Sequence, residues 1–140
     1  MSGSAILLVD DDHEVRNTLS EFLIMAGHDV TVASSGREAI ETLRARETPF
    51  EVAIVDWQME GISGREVIQE IRRETPETNI LISTGHTEAE VPASVAEKLA
   101  HGVLRKPFSL RRLLAVVEGI TVKSPASSRA ETASPAARAK

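Results

Sequence analysis

Short apolar runs and longer segments with helical spacing alternate along the chain. The apolar runs fall at residues 5–9, 30–33, 52–55 and 80–83, and a weaker fifth run, GVLR, falls at 102–105. Most of these runs are continuous and rich in β-branched residues, which is typical of strands that are covered on both faces in a parallel sheet. The pattern therefore predicts five strands separated by helices.

The segments between the apolar runs carry signals for the starts and ends of helices. The first helix is predicted to end at Gly27, because glycine readily adopts the left-handed conformation of a C-terminal cap. The motif SGRE, at 35–38 and again at 63–66, predicts capping boxes for the second and third helices. A fourth helix is expected between Thr87 and His101, and a fifth is expected to begin at Ser109.

Each of three predicted helices has an apolar stripe that can face the sheet. The stripes consist of Val15, Leu19, Phe22, Leu23 and Ala26 in the first helix, of Val67, Ile68 and Ile71 in the third, and of Leu110, Leu113, Leu114 and Val117 in the fifth. Strands and helices that alternate five times favour right-handed βαβ crossovers in a doubly wound α/β fold.

The 140 residues suffice for one domain with a single core. Residues 1–120 are predicted to form this domain. Residues 121–140 are rich in Ser, Pro and Ala and have few large apolar side chains that could offset the entropy of ordering. We therefore expect them to form a disordered tail.

Charge and composition exclude several classes of function. The net charge is −5, and the last 20 residues carry +3, which leaves −8 for residues 1–120. An acidic domain argues against nucleic acid as a direct partner. The absence of cysteine excludes disulfides, thiolate zinc sites and thiol nucleophiles. With no apolar run near ~18 residues and no secretory leader, we expect no membrane association and a cytoplasmic location.

Polar residues follow the predicted strands at the edge where doubly wound sheets bind ligands. They are Asp10 and Asp11 after the first strand, Asp56 after the third, Thr84 after the fourth and Lys106 after the fifth. Carboxylates that crowd together repel unless a cation neutralises them, and Mg²⁺ prefers oxygen ligands. An ammonium and a hydroxyl could bind phosphoryl oxygens. The set predicts phosphoryl transfer, with one aspartate as nucleophile.

A simpler interpretation of the acids at 10–12 is a solvated helix start. Asp12 is expected to cap the first helix, where an acid also complements the helix dipole. The placement of five polar residues at successive strand ends favours the site over this interpretation. The four histidines lack the paired spacing of a metal site, and His28 and His101 are expected at the surface.

Four motifs together resemble the receiver domain of two-component response regulators. They are ILLVDDD, VAIVDWQMEGISG, ILISTGH and GVLRKPF, and DWQM is similar to chemotaxis-type single-domain receivers. The resemblance covers residues 4–119. It implies a flavodoxin-like fold, with five parallel strands in the order 2-1-3-4-5 and five helices.

The resemblance also implies roles for individual residues. Asp56 would accept a phosphoryl group from a histidine kinase or a histidine phosphotransfer protein. Mg²⁺ (or Mn²⁺) would be bound by Asp11, by Asp56 and by the backbone carbonyl of Gln58, with Asp10 holding it through water. Thr84 and Lys106 would bind the phosphoryl oxygens, and the peptide bond from Lys106 to Pro107 would be cis.

Four positions bear on how such a receiver signals. Val103 stands where these domains usually have an aromatic switch residue, so ring rotation cannot report phosphorylation. Glu60 stands where proline is frequent. Gln58 and His86 occupy positions that in this family tune hydrolysis of the acyl phosphate. Trp57, beside Asp56, is expected to be a partly exposed packing residue.

The resulting hypothesis is a stand-alone receiver that controls another protein by phosphorylation-dependent binding, either as a monomer or as a phosphorylation-dependent dimer. It would not be an enzyme beyond its own phosphoryl transfer and slow dephosphorylation, and no room for an output domain is expected after residue 120. One alternative is a C-terminal receiver of a hybrid histidine kinase, or a phosphate sink.

Another alternative is a dehalogenase-type phosphohydrolase. That class uses an Asp-x-Asp motif followed by Thr, whereas this chain has acids at 10 and 12 but no such Thr.

Overall fold

A computed structural model describes residues 3–85 and 100–122 of the chain. The predicted fourth helix lies almost entirely outside the described residues. His86 and residues 123–140 of the predicted tail also lie outside them. Among the described residues, no helix has the length and apolar character needed to cross a membrane.

Five strands and four helices alternate along the described chain. The strands are β1 (Ala5–Val9), β2 (Asp29–Ala33), β3 (Val52–Asp56), β4 (Asn79–Thr84) and β5 (Gly102–Arg105). The helices are α1 (His13–Met25), α2 (Gly36–Ala45), α3 (Gly64–Glu74) and α4 (Leu110–Val122), the last being the fifth predicted helix. All strand pairs are parallel, and the sheet order β2-β1-β3-β4-β5 confirms the predicted flavodoxin-like fold.

Helices cover both faces of the sheet. Since successive residues of a strand point to opposite faces, each central strand contributes side chains to two buried clusters. In β1, Leu7 and Val9 join one buried cluster with side chains of α2 and α3, such as Leu43. Ile6 and Leu8 join a second cluster with side chains of α1 and α4. The strand β2 at the edge is less covered than the sequence pattern predicts.

The capping of α3 and α4 agrees with the sequence, and the capping of α2 agrees only in part. Ser63 and Glu66 form the predicted capping box of α3, and the Ser109 hydroxyl accepts a hydrogen bond from the first turn of α4. Ser35 caps α2 through the Glu38 N–H (3.1 Å). The other half of the predicted capping box, in which Glu38 would accept from the Ser35 N–H, is wrong. Glu38 Oε1 instead accepts from the N–H (2.7 Å) and the hydroxyl (2.8 Å) of Ser34, which offers two donors.

The structure corrects two predictions at the turn after α1. Gly27 has the predicted positive φ, at 101°, but Ala26 lies past the end of the helix and is exposed rather than part of the apolar stripe. His28 was predicted at the surface and is buried. Its Nδ1 accepts a hydrogen bond from the Ser4 N–H (3.0 Å), and its Nε2 lies 3.8 Å from Glu118 Oε2 of α4.

Candidate functional site

The carboxyl ends of the central strands bring the predicted polar residues together. Val9 of β1 is paired with Val55 of β3, so the residues that follow, Asp10 and Asp56, are neighbours across the two strands. Thr84 ends β4, beside β3, and Lys106 directly follows β5. The fold therefore places four residues that are distant in sequence at one edge of the sheet.

Three carboxylates form a compact acidic cluster at this edge. In the described part of the chain, Asp10, Asp11 and Asp56 each offer a carboxylate oxygen, and these atoms lie within 4.8 Å of one another. Asp10 is 1% exposed and Asp56 is 5% exposed, whereas Asp11 is exposed to solvent. Two acids are thus buried together, and the third closes the cluster from the outside.

Lys106 partly neutralises the cluster. Its Nζ lies 3.1 Å from Asp10 Oδ2 and 3.6 Å from Asp56 Oδ2. Burial acts to lower the pKa of the Lys106 ammonium, but the negative charges of Asp10 and Asp56 outweigh burial, and the pKa is raised. Lys106 therefore stays protonated and serves as a counter-ion to the two buried acids.

The charge of Asp56 is not fully compensated. Burial, followed by the negative charge of Asp10, raises the pKa of the Asp56 carboxyl to about 6, against the opposing effect of Lys106. Three carboxylates against one ammonium leave two negative charges. A divalent cation with a preference for oxygen ligands would balance them, so the residues present fit Mg²⁺ or Mn²⁺.

The loop after β3 approaches the cluster closely. The Gln58 N–H donates a hydrogen bond to Asp56 Oδ1 (3.2 Å). At Gly64, the first residue of α3, a Cβ atom would lie only 2.2 Å from the Asp56 carbonyl oxygen. Glycine at 64 therefore permits α3 to begin directly against the end of β3. Binding of a metal ion by the Gln58 carbonyl remains a prediction.

Thr84 is fully buried at the end of β4, and its hydroxyl donates to the carbonyl of the neighbouring Gly85 (3.2 Å). In this arrangement the hydroxyl already has a hydrogen-bond partner in the residue that follows β4. Binding of a phosphoryl oxygen would require it to exchange this partner. The role of Thr84 therefore remains a prediction.

Asp12 does not belong to the cluster. Its carboxylate accepts hydrogen bonds from Glu14 N–H (3.0 Å) and Val15 N–H (3.2 Å), which is the predicted cap of α1. The arrangement disfavours the dehalogenase alternative, because the second acid of an Asp-x-Asp pair is engaged by the helix instead of the site.

The other positions singled out in the sequence lie in several parts of the described structure. The peptide bond between Lys106 and Pro107 is cis, as predicted. Trp57 and Val103 are both partly buried against the same apolar cluster, which confirms the packing role expected for Trp57. Glu60 is exposed in the loop after β3. His101 is exposed as predicted, although its Nδ1 accepts a hydrogen bond from the Ile80 N–H (2.9 Å).

Sequence reasoning missed Arg16, whose guanidinium NH1 donates to the backbone carbonyl of Asp10 (2.8 Å). The contact joins the first turn of α1 to the end of β1. The contact runs from a helix side chain to a backbone carbonyl beyond the preceding strand, and the spacing of apolar and polar side chains gives no signal for such a contact. A cationic side chain one turn after three acids was the available indication.

Comparison with known proteins identifies relatives over most of the chain. The model of the response regulator receiver domain matches residues 6–118. The chain is 31% identical to the DNA-binding transcriptional regulator NtrC of Escherichia coli over 118 residues, which cover 84% of this chain and 25% of NtrC. It is 33% identical to the response regulator protein FleR of Pseudomonas aeruginosa over 115 residues, which cover 82% of this chain and 24% of FleR.

A solved structure has the same fold. The response regulator receiver domain protein from Clostridium thermocellum superimposes with a TM-score of 0.78 at 26% identity, covering 84% of this chain and 94% of that one. The chain thus spans about a quarter of the length of NtrC and FleR, but nearly the whole of this receiver structure.

Proposed function

Because the chain belongs to the response regulator receiver domain family, we propose that Asp56 accepts a phosphoryl group from a phosphohistidine donor in a reaction that requires Mg²⁺ or Mn²⁺. The donor would be a histidine kinase or a histidine phosphotransfer protein, in the cytoplasm. The observation that supports this proposal is the convergence of Asp10, Asp11 and Asp56 within 4.8 Å, beside the ammonium of Lys106.

In the transfer, a carboxylate oxygen of Asp56 attacks phosphorus, and the bond from phosphorus to the donor histidine nitrogen breaks. The nitrogen keeps the bonding electrons, and an oxygen–phosphorus bond to Asp56 forms. The attacking group must be ionised. Since the pKa of Asp56 is about 6, it is ionised at neutral pH while remaining more basic than an ordinary aspartate.

Asp11, Asp56 and the carbonyl of Gln58 would bind the metal directly, and Asp10 would hold it through water. The ion would neutralise charge on the oxygens of the transferred group. Lys106 would move its ammonium from the aspartates to a phosphoryl oxygen. The Thr84 hydroxyl would leave the Gly85 carbonyl and donate to another phosphoryl oxygen.

The output of this chemistry is a change in protein binding. A phosphoryl group adds roughly two negative charges, which draw Lys106 and Thr84 inward and bias a pre-existing equilibrium of the surrounding surface. Since Val103 replaces an aromatic switch residue, the change would be reported by backbone and packing shifts instead of ring rotation. In this proposal, the domain controls a separate protein as a monomer or a phosphorylation-dependent dimer.

A second candidate is a receiver that serves a longer protein, such as a hybrid histidine kinase, or that acts as a phosphate sink. It is favoured by the fact that NtrC and FleR are about four times as long as the matched region. Detection of the full-length product in its native cell by immunoblotting distinguishes the two candidates, because a longer protein would run at a larger mass than this chain.

The proposed nucleophile is tested by incubating the protein with acetyl phosphate and magnesium and measuring its intact mass. We expect one phosphoryl group on the wild type, removed by hydroxylamine as an acyl phosphate is, and none in EDTA. Asp56→Asn should not be modified. Asp12→Asn is the matched control, because Asp12 is a nearby acid that caps α1, and it should still be modified. Modification of Asp56→Asn would show that another residue is the acceptor.

A further inference from the structure

We propose that Arg16 is a positioning residue for the metal site, which holds the turn between β1 and α1 so that the carboxylates of Asp10 and Asp11 converge on a divalent cation. This inference rests on the proposed function, because it assigns a role within the same site. It concerns a residue that has no direct contact with the phosphoryl group in the proposed reaction.

The contact is specific in its geometry. Arg16 is half-buried, and its NH1 donates to the Asp10 carbonyl oxygen at 2.8 Å. Its NH2 lies 3.2 Å from Nδ1 of His13, which can accept from it. The planar guanidinium is thus held at two of its nitrogens, and it donates to the backbone of the residue that begins the acidic cluster.

The backbone at Asp10 needs such a partner because the strand ladder has ended. The last paired residues of β1 are Val9 with Ala33 on one side and Val9 with Val55 on the other. The Asp10 N–H still reaches the Ala33 carbonyl (3.2 Å). The Asp10 carbonyl lies beyond the ladder, and Arg16 supplies its donor.

The side chain of Asp10 is restrained as well. Its Oδ1 accepts from the Asp12 N–H (2.9 Å), which closes a turn with Asp11 at its centre, and its Oδ2 accepts from Lys106 (3.1 Å). The orientation of Asp11 therefore depends on a turn whose first residue is held by Arg16. Asp11 is itself exposed to solvent.

Positioning and charge predict opposite effects for the loss of Arg16. By Coulomb's law alone, removal of a cation close to the site should tighten the binding of Mg²⁺. If Arg16 orients the ligands, removal should weaken binding, as loss of a residue that orients metal ligands generally does. The sign of the change in affinity therefore separates the two roles.

The experiment is a magnesium titration of the full chain, with Trp57 fluorescence and calorimetry as the two readouts of binding. We expect Arg16→Gln to raise the Kd for Mg²⁺ by about tenfold. Arg16→Lys should be intermediate, because it keeps the charge but has one donating nitrogen where the guanidinium uses two. Arg37→Gln is the control, because Arg37 occupies the first turn of α2, is exposed and pairs with Glu41. It should bind Mg²⁺ as the wild type does.

A second measurement separates positioning from loss of structure. Phosphorylation by acetyl phosphate should need about tenfold more Mg²⁺ for its half-maximal rate in Arg16→Gln, while the rate at saturating Mg²⁺ stays within about twofold of the wild type. Thermal unfolding in EDTA checks that the variants fold. Should Arg16→Gln fail to fold, Arg16→Lys carries the same test with a smaller expected shift.

The outcomes distinguish this inference from the proposed function. A wild-type protein that does not bind Mg²⁺ would overturn both. A wild type that binds Mg²⁺, together with Arg16 variants that bind it equally well or more tightly, would overturn the role of Arg16 and leave the proposed function in place.

Discussion

The ammonium nitrogen of Lys106 lies 3.1 Å from Oδ2 of Asp10, which precedes it by 96 residues in the sequence. Lys106→Met should therefore leave two buried acids without their counter-ion. We expect the metal-free variant to lose on the order of 1–3 kcal/mol of unfolding free energy at pH 7. Added Mg²⁺ should recover more stability in this variant than in the wild type, because it replaces the missing charge. Chemical denaturation with and without Mg²⁺ measures both effects, and equal recovery would contradict the counter-ion role.

The raised pKa of Asp56 predicts how stability depends on pH in the metal-free protein. The carboxyl has an ordinary pKa of 3.8 and a folded pKa of about 6. Between these values the folded state keeps a proton that the unfolded state has released, so stability falls as pH rises through this window. Above pH 6 the cost is on the order of 1–3 kcal/mol.

Asp56→Asn should abolish this dependence. In EDTA at pH 7 we expect the variant to be more stable than the wild type, and the difference should shrink as pH falls towards 4. Asp12→Asn serves as the comparison, since it changes an exposed helix cap and leaves Asp56 in place, so this variant should keep the fall in stability between pH 4 and 6. Equal stability of Asp56→Asn and wild type across pH 4–8, by thermal unfolding in EDTA, would refute the prediction.

The close approach at Gly64 predicts a steric effect. In Gly64→Ala the new Cβ would lie 2.2 Å from the Asp56 carbonyl oxygen, so either β3 or the start of α3 must shift. We expect a loss of about 2–3 kcal/mol in unfolding free energy and slower phosphorylation of Asp56. Gly85→Ala is the matched change, because its Cβ would meet the Gln58 side chain at an ordinary 3.5 Å and should cost much less stability.

His28 and His101 form a pair for comparing a buried hydrogen bond with a part-buried one. Each accepts a backbone N–H through Nδ1, from Ser4 and Ile80 respectively. His28→Ala should cost about 1–3 kcal/mol, because it leaves the Ser4 N–H buried and unsatisfied. His101→Ala should cost less, since His101 is exposed and water can reach its position. Urea denaturation of the two variants tests this order of effects.

The sequence predicted the strands within one residue at each end, because each central strand is a continuous apolar run between polar residues. It also predicted the cluster of Asp10, Asp11 and Asp56, since the ends of parallel strands meet at one edge. These features depend on local pattern and on a general rule of topology.

Features that depend on contacts between distant segments escaped prediction. The burial of His28 follows from Ser4 and from α4, which no local pattern links to it. The bond from Arg16 to the Asp10 carbonyl depends on how the backbone turns after β1. At the start of α2, two adjacent serines offered competing partners to Glu38, and only their geometry decides between them.

Because Lys106 offsets part of the charge of the buried acids, we expect the domain to reach its native shape without a bound ion. Magnesium would then bind to a domain that is already folded and would be needed only for the reaction, in contrast to proteins that require their metal in order to fold. The supply of the ion would set how readily the aspartate reacts, while the integrity of the chain stays independent of that supply.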